Sequence, residues 1–279
     1  MDDLETLTKK LFPYAYNILG NISDSQDVIQ DVLIKFNEKE TGSVSNPKAY
    51  LIKSAINTAI NLKKKNDRGR NQRISLPEPI IIANQGESKI EIEEILNYSM
   101  LVLLDVLNTK ERAVFLLKEA FDYDHEEIAN ILSVSVENSR KLLSRAKKKL
   151  KQKKPDIVTT SSKDRIYLGK YIEAIRSGDV VTLEQMLSEE VQVLADGGTK
   201  VNVVAQLTSG IDDTIKLITY VFEHYQKDFR IEIDKINHQP ALLFYDGTLL
   251  INCQVFELNK DGRITHIFSV VDPDKLLPN

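Results

Sequence analysis

The chain has 279 residues, of which 42% are hydrophobic and 28% charged, as in ordinary globular proteins of two or three domains. No apolar run approaches the roughly 20 residues that cross a bilayer, and the acidic start at residues 1–5 is unlike the basic start of a signal peptide. A single cysteine, Cys253, excludes an internal disulfide and a cysteine-based metal site. We therefore expect a cytoplasmic protein that makes no membrane contact and binds neither a metal ion nor a cofactor.

The net charge of −4 is unevenly distributed along the chain. Residues 1–154 contain 25 Lys and Arg against 22 Asp and Glu, a net charge of +3, whereas residues 155–279 contain 12 against 19, a net charge of −7. The cations of the first part cluster at residues 63–73 and between Asn138 and Lys154, where no acid occurs. Such clusters, and not the average charge, favour contact with phosphates.

The first 39 residues predict two helices separated at Gly20, with Ser23 as the N-cap of the second. Val28, Val32 and Phe36 recur every four residues and predict the buried face of that second helix. The opposite face is acidic and polar, with Asp24, Asp27, Gln30 and Asp31.

A third helix begins at Asn46 and Pro47, a capping residue followed by a first-turn proline, and extends to about Lys65. One stripe of this helix carries amide and ammonium groups at Lys53, Asn57, Asn61 and Lys64. Groups at this spacing can hydrogen-bond the bases and phosphates of a nucleic-acid strand, and Tyr50 can stack on an unpaired base. A solvated helix face with a core tyrosine explains the same pattern, so both interpretations stay open.

The next segment separates two helical modules. Residues 66–90, which contain Leu76-Pro77-Glu78-Pro79, are typical of a linker. Helical periodicity resumes at Ile90 and continues through Leu107, and a further helix is predicted from Thr109 to Lys118.

Residues 124–151 have the pattern of two helices joined by a short turn. Asp124 and Glu127 form a capping-box pattern before the first helix, and Ser135 can cap a second helix that extends to about Lys151. Because the second helix is strongly basic, the pattern indicates a helix-turn-helix that places this helix in a major groove of DNA. The alternative is an amphipathic pair with a charged surface, but the lack of acids in the last turns argues against a neutral solvated face.

A different pattern follows a boundary at Pro155 and the Thr/Ser run 159–162. Short amphipathic helices precede a strand, a turn at residues 196–198, another helix and a series of strands. The predicted elements are helices at 166–175, 183–187 and 211–226 and strands at 191–194, 229–236, 241–245, 248–258 and 263–271. Helices followed by an antiparallel sheet make this part an α+β domain.

Three segments, in this order, resemble the extracytoplasmic-function sigma factors of bacteria. Asp24-Ser-Gln-Asp-Val-Ile-Gln-Asp-Val-Leu-Ile-Lys35 resembles the segment that binds RNA polymerase. Asn46-Pro-Lys-Ala-Tyr-Leu-Ile-Lys-Ser-Ala-Ile-Asn57 resembles the helix that reads and melts the minus-ten element. Glu111-Arg-Ala-Val-Phe115, Glu127-Ile-Ala-Asn-Ile-Leu132 and Glu137-Asn-Ser-Arg-Lys-Leu-Leu-Ser-Arg145 resemble the domain that reads the minus-thirty-five element. Ser133 stands in the turn where the family often has glycine.

The resemblance implies roles for three groups of residues and two kinds of partner. Polymerase binding is expected of Asp24, Asp27, Gln30, Asp31 and Lys35. Contact with the minus-ten element is expected of Tyr50, Lys53, Asn57, Asn61, Lys64, Lys65 and Arg68. Contact with the minus-thirty-five element is expected of Glu137, Asn138, Arg140, Lys141, Ser144, Arg145 and Lys148. The expected partners are RNA polymerase core enzyme and promoter DNA, both double-stranded and melted.

Residues 160–279 resemble the SnoaL-like extension of one subgroup of these sigma factors. Asp196-Gly-Gly-Thr-Lys200 is close to its Asp-Gly-Gly-Gly-Lys motif, Leu76-Pro-Glu-Pro79 matches its linker signature, and Asp272-Pro-Asp-Lys-Leu276 approaches its terminal Asn-Pro-Asp-Lys-Leu motif. The resemblance implies a cone-shaped α+β domain that regulates the sigma factor in cis. Interdomain regulatory contacts are expected of Asp196, Gly197, Gly198, Lys200, Asp272, Pro273, Asp274 and Lys275. We expect the loop that contains Lys200 to be exposed, to contact the first domain and to fix the spacing of the two DNA-reading domains.

The expected fold is multidomain, with two all-α sigma domains followed by an α+β SnoaL-like cone. The sigma domains are predicted at 1–73 and 93–154, the linkers at 74–92 and 155–162, and the SnoaL-like domain at 163–279. We expect a sigma factor that is a monomer when free, with a cone open to an unidentified small ligand. Two rival hypotheses are a ligand-responsive helix-turn-helix regulator that needs no polymerase and an enzyme with adaptor helices. The available catalytic groups are His224, His238, His266 and Asp246, but no spacing identifies an acid–base pair, and we expect no catalysis.

Overall fold

The computed structural model describes residues 4–38, 44, 46–69, 75–81, 94–151, 163–203 and 207–276. The chain forms two units, one made of residues 1–71, 86–96 and 100–154 and the other of residues 72–85, 97–99 and 155–279. The predicted linker at 155–162 and residues 74 and 82–92 of the other predicted linker lie outside the described residues. No helix in the described ranges is both long enough and apolar enough to span a bilayer.

Most helices of the first half occur where the sequence pattern predicts them. They are α1 (Leu4–Leu19), α2 (Ile22–Asn37), α3 (Pro47–Gly69), α4 (Tyr98–Leu103), α5 (Thr109–Glu119), α6 (His125–Leu132) and α7 (Val136–Lys151). The predicted N-cap of α2 at Ser23 is wrong. The cap is Asn21, whose side chain accepts the N–H of Asp24 at 2.7 Å, because Gly20 at φ +71° ends α1 and lets α2 begin two residues after it.

The predicted continuous helix from Ile90 to Leu107 is also wrong in the described part. Residues 96 and 97 are not helical, α4 begins only at Tyr98, and residues 104–106 form a 3₁₀ turn. The fully buried Asn17 explains the break, since its side chain donates to the Glu94 carbonyl at 2.8 Å and accepts the Leu96 N–H at 3.1 Å. These backbone groups are therefore satisfied without a helix.

The two helices α6 and α7 meet at the predicted turn. The capping box of Asp124 and Glu127 is present, and the Ser135 hydroxyl accepts the N–H of Asn138 at 3.1 Å. Ser133 ends α6 in the left-handed conformation, at φ +52°, which accounts for the preference for glycine at this position. The apolar side of α7, with Leu142, Leu143, Ala146 and Leu150, is buried.

The second unit combines three helices with a six-stranded sheet within the described residues. Its elements are α8 (Lys163–Ser177), α9 (Val180–Met186), β1 (Leu187–Asp196), β2 (Thr208–Ser209), α10 (Ile211–Val221), β3 (Arg230–Ile236), β4 (Gln239–Asp246), β5 (Leu249–Leu258) and β6 (Ile264–Val270). The strand order is β2-β1-β6-β5-β4-β3. The predicted purely antiparallel sheet is wrong, because β1 pairs parallel with β6 and the sheet is mixed.

Both faces of this sheet are buried at its interior strand β4. Leu242 and Phe244 of β4 belong to the core formed with α8, α9 and α10. Their neighbours Ala241 and Leu243 point to the other face and are at most 1% exposed. On that second face, Tyr98 packs its ring against Phe268 with 5.6 Å between centroids, so residues from before α8 take part in the fold of this unit.

Candidate functional site

The acidic face predicted on α2 points away from the core. Val28 and Val32 are buried on one side of the helix, while Asp27, Gln30, Asp31 and Lys35 are exposed on the other. Asp24 is half-buried, and its carboxylate accepts a hydrogen bond from Asn66 at 3.1 Å. The described geometry therefore leaves a solvent-exposed strip of carboxylates that a positively charged partner surface can bind.

The stripe on α3 is only partly available to solvent. Asn61, Lys65 and Arg68 are exposed, and Tyr50, Lys53, Asn57 and Lys64 are half-buried. The Tyr50 ring lies 5.9 Å from the ring of Phe36. Lys63, which the sequence places in the same basic cluster, is only 6% exposed and lies 3.4 Å from the Asp105 carboxylate. Charge pattern alone does not separate this buried lysine from its exposed neighbours.

The cations of α7 divide into two sets. Lys147 and Lys149 turn towards α5, where they pair with Glu119 at 2.8 Å and Glu111 at 2.6 Å. The residues predicted to read DNA are all exposed: Glu137, Asn138, Arg140, Lys141, Ser144, Arg145 and Lys148. Among them, Lys141 pairs with Glu137 at 2.6 Å, an exposed pair of the kind that contributes little to stability and can be exchanged for a phosphate contact. The outer face of α7 is thus a basic surface in front of a buried apolar side.

His125 connects the two helices of this helix-turn-helix. Its Nδ1 lies 2.9 Å from the hydroxyl oxygen of the buried Ser139. Burial lowers the pKa of His125, and the nearby Arg140, Lys118 and Lys147 lower it further, against an opposing effect of Asp124. Sequence reasoning did not identify this contact, because a histidine at the first position of a helix has no characteristic pattern.

A buried ion pair in the second unit holds the segment at residues 75–81. The Lys275 ammonium lies 2.6 Å from the Asp196 carboxylate and donates to the Leu76 carbonyl at 2.6 Å and the Ser75 hydroxyl at 3.1 Å. The same carboxylate oxygen of Asp196 accepts the Leu76 N–H at 2.8 Å. All three ammonium hydrogens therefore have acceptors. We call this arrangement of Asp196, Lys275 and the Leu76 backbone the latch.

The glycines beside Asp196 allow the close approach that the latch requires. A Cβ atom on Gly198 would lie 2.3 Å from the carboxylate of Asp272, and this glycine has φ +59°. The other carboxylate oxygen of Asp196 accepts the Gly198 N–H at 2.9 Å. Asp272 in turn accepts the N–H of Asp274 at 3.1 Å, which forms the turn that presents Lys275. The predicted regulatory residues therefore form one interlocked pair of turns.

Two features of this loop differ from the sequence expectation. Asp196 is only 2% exposed, so the first residue of the predicted exposed loop is buried. Lys200 pairs with Asp274 at 2.5 Å, within its own unit. The partner of the loop is the described part of the predicted linker, because Asp196 and Lys275 both bind the backbone of Leu76.

Further contacts of this segment involve residues that the sequence did not single out. Ile80 exchanges hydrogen bonds with Asn237, whose side chain accepts the Ile80 N–H at 2.9 Å and whose own N–H reaches the Ile80 carbonyl at 3.2 Å. The Tyr98 hydroxyl donates to the Pro77 carbonyl at 2.6 Å, and Gln239 accepts the N–H of Ser99 at 2.6 Å. No local pattern indicates such partners, because they are more than 20 residues apart in sequence.

The candidate catalytic groups are dispersed. His224 bonds the Tyr220 carbonyl through Nδ1 at 2.8 Å, and Nδ1 of His266 lies 2.9 Å from the Glu257 carboxylate. Cys253 is completely buried in β5, and burial raises the pKa of its thiol. Among the described residues, no group of three or more His, Cys, Asp or Glu side chains is placed to hold a metal ion.

Comparison with known proteins identifies both helical modules. The family model "Sigma-70 region 2" matches residues 4–69, and "Sigma-70, region 4" matches residues 99–150. The chain is therefore a homologue of extracytoplasmic-function sigma factors. It directs RNA polymerase to promoters, and its second unit is an α+β extension that follows the two sigma-70 regions.

Several relatives of this sigma factor share its full length. The extracytoplasmic-function sigma factor SigJ of Mycobacterium tuberculosis is 21% identical, over 99% of this chain and 92% of its own length. The probable sigma factor SigI of the same species is 22% identical, over 96% and 91%. The crystal structure of Mycobacterium tuberculosis SigJ has a TM-score of 0.76 at 20% identity and covers 97% of this chain and 96% of its own, which shows that the fold is shared.

Proposed function

We propose that this sigma factor binds core polymerase through the exposed face of α2. In the same proposal, α3 reads the minus-ten element and α7 reads the minus-thirty-five element. The support is that the carboxylates of α2 and the outer residues of α7 are exposed while the apolar sides of both helices are buried. Phosphates would be bound by the cations of α3 and α7, and base edges by residues near the start of α7.

We further propose that the SnoaL-like unit regulates promoter recognition by holding residues 75–81. The observation that carries this proposal is the latch, which grips the backbone of Leu76 on both its N–H and its carbonyl. This segment lies in the chain between the helix that reads the minus-ten element and the helix-turn-helix. Seven free residues could extend by about 23 Å, so a held segment restricts the spacing between the two promoter elements that can be read together.

Transcription in vitro tests the polymerase assignment. Purified core polymerase, full-length sigma factor and fragmented genomic DNA are combined, and the start sites are mapped by sequencing the RNA. Initiation should be lost with the double variant Asp27→Arg, Asp31→Arg, because the reversed charge repels the polymerase surface, and retained with the exposed control Lys260→Met. A chain that gives core enzyme no initiation at any site would contradict the proposed interfaces and favour a helix-turn-helix regulator independent of polymerase.

The mapped promoters then test the regulatory proposal. Templates with spacers one or two base pairs shorter and longer are transcribed with the wild type, Lys275→Met, Asp196→Asn and Lys260→Met. The two latch variants should initiate over a wider range of spacer lengths than the wild type and the control. Since Asp196→Asn keeps an acceptor for the Leu76 N–H, it provides a milder second variant, and an unchanged spacer profile for both would contradict the proposal.

Four finer properties belong to the same proposal. We place the sigma factor in the cytoplasm, as a monomer when it is free, without catalytic activity, and with a SnoaL-like unit that can take an unidentified small ligand. Light scattering of the full chain tests the monomer, and thermal-shift measurements with a panel of metabolites test the ligand.

A further inference from the structure

The side chain of Asn57 already uses both of its amide hydrogens within the protein. Its Nδ2 donates to the Lys53 carbonyl at 2.9 Å and to the carbonyl of Ile131 in α6 at 2.8 Å. A primary amide has two donor hydrogens, so no donor is left for a base. Asn57 is one of the α3 residues from which minus-ten contact is expected, and it can donate a hydrogen bond to a base only by giving up one of these bonds.

The Ile131 carbonyl that accepts from Asn57 lies at the C-terminus of α6, where carbonyls have no hydrogen-bond partner within their own helix. At the end of α6, the N–H groups of Ser133 and Val134 both go to the Ala129 carbonyl, and the Ile131 carbonyl accepts the Asn57 amide. α3 therefore acts as a side-chain cap for the C-terminus of the first helix of the helix-turn-helix.

The remaining boundary between α3 and α6 is not close-packed. A cleft of about 620 Å³ separates the two helices, lined by Tyr50 and Lys53 on one side and by Glu127 and Asn130 on the other. Protein interiors contain few voids larger than a water molecule. A cleft of this size shows that α3 and α6 are not close-packed along this boundary, where the Asn57–Ile131 hydrogen bond links the two helices.

One aromatic contact elsewhere helps to hold the two modules of the first unit together. Tyr14 of α1 stacks on Phe121 with 4.2 Å between ring centroids, and its hydroxyl lies 3.2 Å from that of Tyr123. Such a ring pair contributes about 0.5–1.5 kcal/mol beyond its buried area. None of these three residues is among those assigned to polymerase or DNA.

We propose that in the free chain α6 masks the minus-ten-reading face of α3, and that a melted promoter strand binds this face only after α6 has moved away. This inference rests on the proposed role of Asn57 in minus-ten recognition. The hydrogen bond that caps α6 uses one of the two amide hydrogens of Asn57, so capping and donation of that hydrogen to a base exclude each other. The helix-turn-helix thus inhibits minus-ten binding by its own position, and polymerase or DNA must supply the energy that opens the pair.

The test is binding of single-stranded DNA to the full-length chain without polymerase. The probe is a fluorescent oligonucleotide with the non-template minus-ten strand of a promoter mapped by transcription with the holoenzyme. The double variant Tyr14→Ala, Phe121→Ala removes the aromatic contact, and Tyr220→Ala, Tyr225→Ala removes two exposed tyrosines of the other unit as a matched control. Masking predicts that the first variant binds about tenfold more tightly than the wild type, since apparent affinity scales with the fraction of competent chain.

The outcomes separate masking from the function on which it rests. Tighter binding in the opened variant that is lost again when Asn57→Ala is added supports masking. Equal binding by the wild type and the opened variant, both weakened by Asn57→Ala, would overturn masking and keep minus-ten recognition by α3. Normal initiation by a holoenzyme with Asn57→Ala would instead contradict the assigned reader. If the double alanine variant does not fold, Phe121→Leu, which keeps bulk but loses the ring pair, should show a smaller gain in the same direction, and no gain would overturn masking.

Discussion

The first and second units each contain a contact between distant parts of the chain, and the two contacts are built differently. In the first unit, α3 and α6 face each other across a cleft of about 620 Å³, and the side-chain amide of Asn57 donates a hydrogen bond to the Ile131 carbonyl of α6. In the second unit, residues 75–81 have both backbone groups of Leu76 bound and the side chains of Leu76 and Ile80 each 2% exposed. The first contact has the character of a reversible docking and the second that of a permanent part of the fold.

The energies of these contacts differ accordingly. A hydrogen bond between neutral groups contributes about 0.5–1.5 kcal/mol net, because water replaces the partner when it breaks. Removing one partner of a buried ion pair costs about 3–5 kcal/mol, because the remaining charge is left uncompensated. Breaking the Asn57–Ile131 hydrogen bond is therefore cheaper than releasing the latch in the second unit.

The largest expected effect is that of Lys275→Met on the second unit. This change leaves the Asp196 carboxylate, only 2% exposed, without its cation, and we expect the free energy of unfolding of that unit to fall by about 3–5 kcal/mol. Urea denaturation followed by thiol labelling of Cys253 measures it, since this single cysteine is completely buried in β5 and reacts only when the unit opens. The exposed control Lys260→Met should change the value by about 0.5 kcal/mol or less. Equal loss in both variants would mean that the latch adds no stability of its own.

A pair of glycines allows a second test of how tightly the latch is built. Gly198 and Gly178 have φ of +59° and +67°, but a Cβ atom on Gly198 would meet Asp272 at 2.3 Å while one on Gly178 would meet nothing within 4 Å. Gly178→Ala should cost about 1–2 kcal/mol for its backbone alone, and Gly198→Ala clearly more, because Asp272 must also move. The difference in melting temperature between the two variants isolates the contact. Equal melting temperatures would show that the turns are looser than their geometry indicates.

The smallest expected effect concerns acidification of the first unit. The pKa of His125 is lowered by burial and by nearby cations, so the unfolded chain binds its proton more tightly than the folded chain does. The contribution of neutral His125 to stability is complete above the ordinary histidine pKa of about 6.5 and is lost as the pH falls through the lowered value in the folded state. Unfolding of the wild type and His125→Gln between pH 7.5 and 5.5 measures it, and the wild type should lose more stability. A variant with an equal pH slope would contradict this assignment.

The sequence predicts the elements whose signals are local. The capping box at Asp124 and Glu127 and the turn at Ser133 define α6 and α7 without knowledge of the rest of the chain. Long-range pairing is different, because the parallel match of β1 with β6 joins strands more than 60 residues apart, and nothing in either strand specifies its partner. The resemblance to a family supplies Asp196 and Lys275 as residues of interest, but only the structure shows that they bind the Leu76 backbone.

The same limit applies to the charged residues of the first unit. Lys63 and Lys149 belong to basic clusters in the sequence, yet the first is buried beside Asp105 and the second pairs with Glu111. In the same clusters, Lys65 and Lys148 are exposed. A cluster of cations therefore predicts a nucleic-acid surface in outline, while helical phase and the acids of other helices decide which members face the solvent.

A distance measurement across the first unit tests most directly whether this sigma factor opens when it is used. Spin labels are attached at Asn37→Cys on α2 and Lys110→Cys on α5, both exposed, while the buried Cys253 stays unlabelled. Pulsed electron paramagnetic resonance is recorded on the full chain alone and with core polymerase. We expect one short distance in the free chain and a longer one in the complex, with Cys253 still protected from labelling. An unchanged distance in a complex that initiates transcription would contradict the opening of α3 from α6.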